Sequence, residues 1–383
     1  MKLLSVVGAR PNFMKIAPLA AAIDAHNARA PSRAVKHVLV HSGQHYDPSL
    51  SSRFFDELGI PSPDYHLEVG SGTHAYQVGT TMIEFEPVLL AERPDWVVVV
   101  GDVNATCACS LTAKKHQFKV AHIEAGLRSN DWTMPEEINR VVTDRLSDLL
   151  FTTCKFANRN LATEGVAPEK IALVGNIMID TLEQQRVLAA RRAPEAIVDA
   201  NRLNKSDNTP TSAFKQGYAV LTLHRPSNVD LPEVLHRNID LLLKLSARIP
   251  FLFPVHPRTL GKLKEFGCWE KIASNPNMHL LHPLGYLDML ALTLSARVVL
   301  TDSGGIQEEC CVAGTPCLTL RENTERPATL VEHGGTNHLV GTEPVAVERA
   351  FEQALLAERS ERRPELWDGK TAGRILARLL AYS

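Results

Sequence analysis

The chain has no basic run: its 41 Lys and Arg are balanced by 43 Asp and Glu, leaving a formal net charge of −2 over 383 residues. A duplex nucleic acid is held through many phosphates at once, so a partner of that kind is excluded. Aromatic residues make up only 6% of the chain, too few for a platform that stacks single-stranded bases. The anion bound by this protein is therefore expected to be small and held by a few placed residues. No apolar run approaches the ~18 residues of a membrane-spanning helix. The stretch Leu3 to Gly8 is too short, and too soon interrupted by Arg10 and Pro11, to read as a secretory signal. A cytoplasmic protein with no membrane contact is expected. The seven cysteines are odd in number. Cys107 and Cys109 stand two apart, Cys310 and Cys311 are adjacent, and no C-x-x-C occurs, so neither a disulfide scaffold nor a zinc ribbon is indicated. Reduced cysteines in apolar segments are expected instead. Neither first strand turn carries G-x-G-x-x-G and no metal-ligating constellation is evident, so no cofactor and no metal are expected.

What the chain does have is alternation. Short apolar runs at Leu3–Val7, Lys36–Val40, Trp96–Val100, Val120–Ile123, Leu149–Thr152 and Ile171–Val174 read as strands buried on both faces. Helical patterns lie between them, near Phe13–Ala25, His74–Ala91, Ala105–Lys115, Glu136–Ser147 and Phe156–Glu164. A second series follows at Tyr218–Leu223, Phe251–Val255, His279–Leu281, Val298–Leu300, Pro316–Leu320 and His338–Val340. The segment Asn201–Gln216, rich in Asn, Ser, Thr and Lys, reads as the linker. The expectation is an α/β protein of two doubly wound, Rossmann-like parallel-sheet domains facing a central cleft. They span residues 1–190 and 215–370, and a last helix in 371–383 packs back on the first half. In such sheets ligands bind beyond the carboxyl ends of the strands, and that is where the polar residues fall.

The first strand ends in Gly8-Ala9-Arg10-Pro11, a Gly turn and an Arg at a helix start, suited to an anion. Another ends in His41-Ser42-Gly43-Gln44-His45. Asp102 follows strand Trp96–Val100, Glu124 follows Val120–Ile123, and Glu136 stands in the first turn of the next helix with Arg140 one turn on. Singly, Asp102 reads as a helix cap and Glu136 as a dipole-stabilising residue. Three carboxylates at the strand ends of one sheet instead suit proton transfer at carbon, which needs a positioned acid–base pair. A metal site is the competing reading of such a cluster. In the second half, His224, His256 and the run Asp302-Ser303-Gly304-Gly305-Ile306-Gln307-Glu308-Glu309 occupy the same place. Small residues at a helix start let backbone amides approach a diphosphate, and a carboxylate one turn in can accept both hydroxyls of a ribose. Ser303 lacks the G-x-S-x-G setting of a nucleophile.

The ordered set GARPNFMK, SGQHYD, GDVNAT, HIEAGLRS, MPEEINR, LTLHRPSN, FPVHPR, TDSGGIQEE and RENTERP resembles the non-hydrolysing UDP-N-acetylglucosamine 2-epimerases over nearly the whole chain. The resemblance implies a GT-B fold, no cofactor, a homodimer, and reversible interconversion of UDP-GlcNAc and UDP-ManNAc for polysaccharide precursors. It implies that Asp102, Glu124, Glu136 and His224 are catalytic. Arg10, Lys15, Arg140, Ser303, Gly304, Gly305, Glu309 and Arg326 would hold the UDP-sugar. Gln44 and His256 would belong to a second UDP-GlcNAc site that activates the enzyme. Many members read His-Arg-x-Glu-Asn where this chain has His224-Arg225-Pro226-Ser227-Asn228, a departure that bears on the activator contacts. A hydrolysing 2-epimerase and a GT-B glycosyltransferase are the neighbouring alternatives.

Overall fold

The run Trp96–Val100 is one tryptophan and four valines, every residue at most 2% exposed. Such a run has no polar face to turn to water, so it can only be a central strand covered by helices on both sides. The computed structural model describes residues 1–8, 10–43, 59–203, 214 and 216–382. It places this strand fourth in sequence and at the middle of a seven-stranded sheet. The strands are β1 (Lys2–Val7), β2 (Lys36–His41), β3 (Tyr65–His66), β4 (Trp96–Val100), β5 (Lys119–Ala125), β6 (Leu149–Thr152) and β7 (Ile171–Leu173). Their order is β3-β2-β1-β4-β5-β6-β7 and every pairing is parallel. Helices α1 (Arg10–Arg29), α2 (His74–Glu92), α3 (Asn104–Lys115) and α4 (Pro135–Leu146) lie among the crossovers.

The chain divides into two compact units, Met1–Glu183 with Glu365–Ser383, and Gln184–Pro364. The terminal helix Thr371–Ala381 belongs to the first unit for local reasons. Its first amides, those of Thr371 and Ala372, donate to the buried Asp180 carboxylate at 3.0 and 2.7 Å. Burial pushes that carboxyl above its ordinary range, and the two amides work against the shift. Just before the helix, Trp367 is 1% exposed and its indole N–H donates to the Thr153 carbonyl at 2.8 Å. Full burial of a side chain this large contributes on the order of 2–3 kcal/mol.

The second unit repeats the plan. Strands β8 (Ala219–Thr222), β9 (Phe251–Pro254), β10 (Met278–Leu281), β11 (Val298–Thr301), β12 (Cys317–Thr319) and β13 (Asn337–Leu339) run in the order β10-β9-β8-β11-β12-β13, all parallel. Its core brings Leu221, Phe251, Phe253, Val298 and Leu300 against Leu235, Ile239, Leu242 and Phe351 from the helices. Helices α5 (Tyr286–Ser295) and α6 (Gly304–Ala313) carry residues used below.

Two differences from the sequence expectation concern the junction and the sheet edge. The chain passes from the first unit to the second inside the helix Ile177–Ala189, and the segment before 204 already belongs to the second unit. There Ile197 and Val198 are buried, and the Leu203 amide donates to the Leu280 carbonyl at 2.9 Å. Residues 204–213 and Lys215, within the expected linker, lie outside the described residues. Strand β3 has only two residues, pairing Tyr65 and His66 with Val40 and His41, too short for any periodicity.

Candidate active site

In each sheet the chain leaves its first strand to one side and returns to add the fourth on the other. That reversal, between β1 and β4 and again between β8 and β11, opens a crevice where the two flanking loops diverge. Asp102 follows β4 and His224 and Asp302 follow β8 and β11, at these two points, while Glu124 and His256 stand at the ends of the neighbouring strands β5 and β9.

In the first unit, α1 opens with Arg10, whose side chain lies outside the described residues. The Gly8 amide donates to Asn12 Oδ1 at 3.2 Å, and Asn12 Nδ2 donates to the Val100 carbonyl at 2.9 Å. Asn12 thereby ties the end of β1 to the end of β4. One turn on, the Lys15 ammonium forms an ion pair with Glu124 Oε2, with side chains only 8% and 2% exposed. Gly101 lies beneath that pair. It has φ +70°, and a Cβ there would stand 3.1 Å from Lys15 Nζ and 3.5 Å from Glu124 Oε2. Glycine is needed for both the backbone region and the space.

Glu124 itself has φ +72°, and the pairing of β5 with β6 slips between Ile123 and Ala125. A bulge at a strand end re-aims a side chain, and a non-glycine residue held at positive φ costs on the order of 1–3 kcal/mol. The surrounding packing must supply that energy. Asp102 does not cap α3, whose N-cap is Val103. It accepts instead from Arg140, with Nε at 2.9 Å and Nη2 at 2.6 Å. Arg140 is 2% exposed and also donates to Glu137 Oε2 at 2.6 Å. Glu137 in turn accepts the amides of Ser129 and Asn130 at 3.0 and 2.9 Å. Asn139 holds the Asp102 carbonyl at 2.9 Å. Glu136 stands half-buried in the first turn of α4, after Pro135. Two of the three carboxylates singled out in the sequence thus have a buried cation, which the sequence reading had placed among the substrate contacts.

In the second unit, the Asp302 carboxylate anchors the other crevice. Its Oδ2 accepts the amides of His224 and Arg225, each at 2.8 Å, and Asn228 Nδ2 at 3.1 Å. Its Oδ1 lies 2.7 Å from His224 Nδ1. Burial alone would raise this carboxyl, but the His224 contact and the two amides outweigh it and hold it at about 2. Asp302 therefore fixes the His224 ring from beneath, an acceptor role the sequence reading did not give it. The His256 ring lies 5.4 Å from that of His224, and its Nδ1 accepts the Arg258 amide at 3.2 Å. Gln44, assigned with His256 to an activator site, lies outside the described residues.

Ser303 is the N-cap of α6, its amide donating to Thr301 Oγ1 at 2.9 Å. Gly304 and Gly305 form the first turn, where backbone N–H groups have no intrahelical acceptor and the helix dipole favours an anion. A Cβ on Gly304 would stand 2.7 Å from Glu325 Oε1. The adjacent glutamates divide their work. Glu308, side chain 1% exposed, pairs with Arg326 Nε at 2.7 Å. Glu309 is buried, and burial pushes its carboxyl up to about 7, the nearby Tyr286 hydroxyl opposing and the charge of Glu308 adding. Tyr286, near the start of α5, is a neighbour that no motif announced.

Among the described residues no group of three or more His, Cys, Asp and Glu is arranged to hold a metal ion, and no helix is long and apolar enough to cross a membrane.

The sequence profile for UDP-N-acetylglucosamine 2-epimerases matches residues 27–380. The chain is 40% identical to a UDP-N-acetylglucosamine 2-epimerase of Methanocaldococcus jannaschii, the alignment covering 100% of this chain and 99% of that one. It is 37% identical to a UDP-2,3-diacetamido-2,3-dideoxy-D-glucuronate 2-epimerase of Pseudomonas aeruginosa, with the same coverage. Among solved structures, a crystal structure of the M. jannaschii UDP-GlcNAc 2-epimerase in complex with UDP-GlcNAc and UDP superposes over 100% of both chains, with a TM-score of 0.88 at 40% identity. The two Rossmann-like parallel-sheet units are those of the GT-B fold.

Proposed function

The chain belongs to the UDP-N-acetylglucosamine 2-epimerase family, and from that premise we propose that it interconverts UDP-GlcNAc and UDP-ManNAc without hydrolysing them. The observation that carries this reading is the pair of ion-paired carboxylates at the first crevice, Glu124 with Lys15 and Asp102 with Arg140. A protein that only bound a nucleotide sugar would have no use for them.

The C2 proton of GlcNAc is not adjacent to a carbonyl, so enolisation cannot invert that carbon. Elimination can. A carboxylate takes the C2 proton, the C–H pair becomes the C1–C2 double bond, and the C1–O bond breaks with its electrons leaving on UDP. Re-addition follows, as a proton is delivered to the opposite face of C2 and the diphosphate oxygen bonds to C1 again. Asp102 and Glu124 are assigned the proton transfers, with Glu136 positioning the sugar or sharing that work. Arg10, His224 and the Ser303–Gly305 amides offset the charge that develops on the diphosphate. Glu309 holds the ribose, Arg326 helps to bind UDP from its pair with Glu308, and Lys15 and Arg140 act through the carboxylates they pair with. The route needs no redox cofactor, because the sugar is neither oxidised nor reduced overall.

The enzyme would work in the cytoplasm, supplying a precursor for a cell-surface polysaccharide. Tyr76, Ile83 and Leu90 recur every seventh residue on α2 and are 54%, 68% and 44% exposed, an apolar stripe that supports a homodimer. A second UDP-GlcNAc acting as activator near His256 completes the proposal, with Ser227 altering its contacts.

Incubation with UDP-GlcNAc in D2O, followed by NMR, tests the reading. Deuterium at C2 of both UDP-GlcNAc and UDP-ManNAc is expected. Free ManNAc would mark a hydrolase, and no exchange would end the epimerase reading for this sugar. The similarity to the P. aeruginosa enzyme makes the 2,3-diacetamido uronate the second substrate to run.

A further inference from the structure

His122 is fully buried, two residues before Glu124 and on the same strand. Both nitrogens of its ring face oxygen atoms of other elements. Nδ1 lies 2.7 Å from Asp144 Oδ1 on α4, and Nε2 lies 2.8 Å from the carbonyl of Gly101. Gly101 immediately precedes Asp102. Asp144 then reaches past Glu124: its Oδ2 accepts the Gly126 amide at 3.0 Å and lies 2.7 Å from Arg128 Nη1. Arg128 is fixed in its turn by Glu164, through two contacts of 2.8 Å. The positive-φ residue Glu124 is thus gripped on both flanks, and the same ring is bonded to the loop that carries Asp102. A burial penalty on the Asp144 carboxyl is outweighed by His122 and Arg128, which hold it below the usual carboxylate range.

We propose that His122 and Asp144 are positioning residues of the reaction, a buried link that fixes the ends of β4 and β5 and so sets Asp102 and Glu124 relative to one another. The inference rests on the proton-transfer roles assigned to those two carboxylates. Both ring nitrogens of His122 and both carboxylate oxygens of Asp144 are taken up by protein partners, so these two residues act through where they hold the reacting groups. A displacement of about 1 Å in such groups costs on the order of 10²-fold in turnover.

The test separates positioning from simple loss of stability. His122→Phe fills the volume and removes both contacts. It is expected to lower kcat for C2 exchange about 10²-fold, with KM and the Kd for UDP within about threefold of wild type. His122→Gln, able to keep the donor toward Gly101, recovers part of kcat. Asp144→Asn keeps the shape and loses the charge, and is expected to fall between them, so the claim stands on folded protein even where His122→Phe folds poorly. Asp148→Asn is the control. Asp148 anchors the opposite end of β5, accepting the Val120 amide and Lys114 Nζ at 2.9 Å each. It should lower Tm, by less than the buried substitutions do, and leave kcat unchanged. Turnover within threefold of wild type in His122→Phe, or an equal kcat loss in Asp148→Asn, would overturn the positioning role alone. A wild-type protein that gives no C2 exchange would remove the reading of the site and the positioning role with it.

Discussion

Glu124→Gln is expected to lower C2 exchange about 10³-fold while leaving the Kd for UDP-GlcNAc within about threefold of wild type. The substitution keeps the size of the side chain and an oxygen toward Lys15, so the strand-end bulge that aims residue 124 persists. What is lost is the ability to take a proton. Lys15 would then be a buried cation without a full counter-charge, and breaking such a pair costs up to 3–5 kcal/mol of stability. A lower Tm is therefore part of the expected result, and kinetics and binding are measured well below it. Equal losses in kcat and in affinity would instead make Glu124 a binding residue and move the proton transfer to Asp102 and Glu136.

Glu309→Ala should do the reverse, weakening UDP and UDP-GlcNAc about 10²-fold together, because two hydroxyl contacts to a charged acceptor are lost. Any loss of Tm should come from the cavity left by a buried side chain and not from an unpaired charge. Arg326 is held by Glu308, so removing Glu309 strands no cation, and it deletes a carboxyl whose ionisation burial opposes. The same carboxyl predicts a pH dependence. Its value in the folded protein is raised to about 7, so below that pH the unliganded site holds a proton there. Accepting both ribose hydroxyls requires the ionised form, so binding is linked to release of that proton. Affinity is highest above pH 7 and falls by up to tenfold per unit below it. Uridine is the probe, since it has no phosphate of its own to titrate. Isothermal titration at pH 6 and pH 8 should show the loss in wild type and not in Glu309→Ala. An equal loss in both would assign the titration to another group.

Much of the candidate site could be located from the sequence because parallel sheets bring their loops, and so their polar residues, together at strand ends. The valine run of β4 marks a strand, and the residues that follow it, Gly101 and then the acidic Asp102, are at the carboxyl end by construction. The same logic located Glu124, His224 and the Asp302–Glu309 run. What the sequence does not carry is pairing across distance. Lys15 and Glu124 stand 109 residues apart, and only the fold reveals that the lysine is the counter-charge of a carboxylate. Adjacent glutamates are indistinguishable by composition, yet a helix turns successive residues by about 100°, so Glu308 meets Arg326 while Glu309 lies by Tyr286. Asp302 has the sequence position of a phosphate-loop residue, whereas its Oδ2 accepts the His224 and Arg225 amides and its Oδ1 lies against the His224 ring. The junction between units escaped because it lies within a helix that has no linker composition.

The central claim is that UDP leaves C1 and returns. It is tested most directly with UDP-GlcNAc carrying oxygen-18 in the bridge between C1 and the β-phosphorus. Once the C1–O bond breaks, the freed β-phosphate can rotate, and the label should appear in its non-bridging positions in recovered UDP-GlcNAc and in UDP-ManNAc, alongside deuterium at C2. Deuterium entering C2 while every label stays in the bridge would contradict the account.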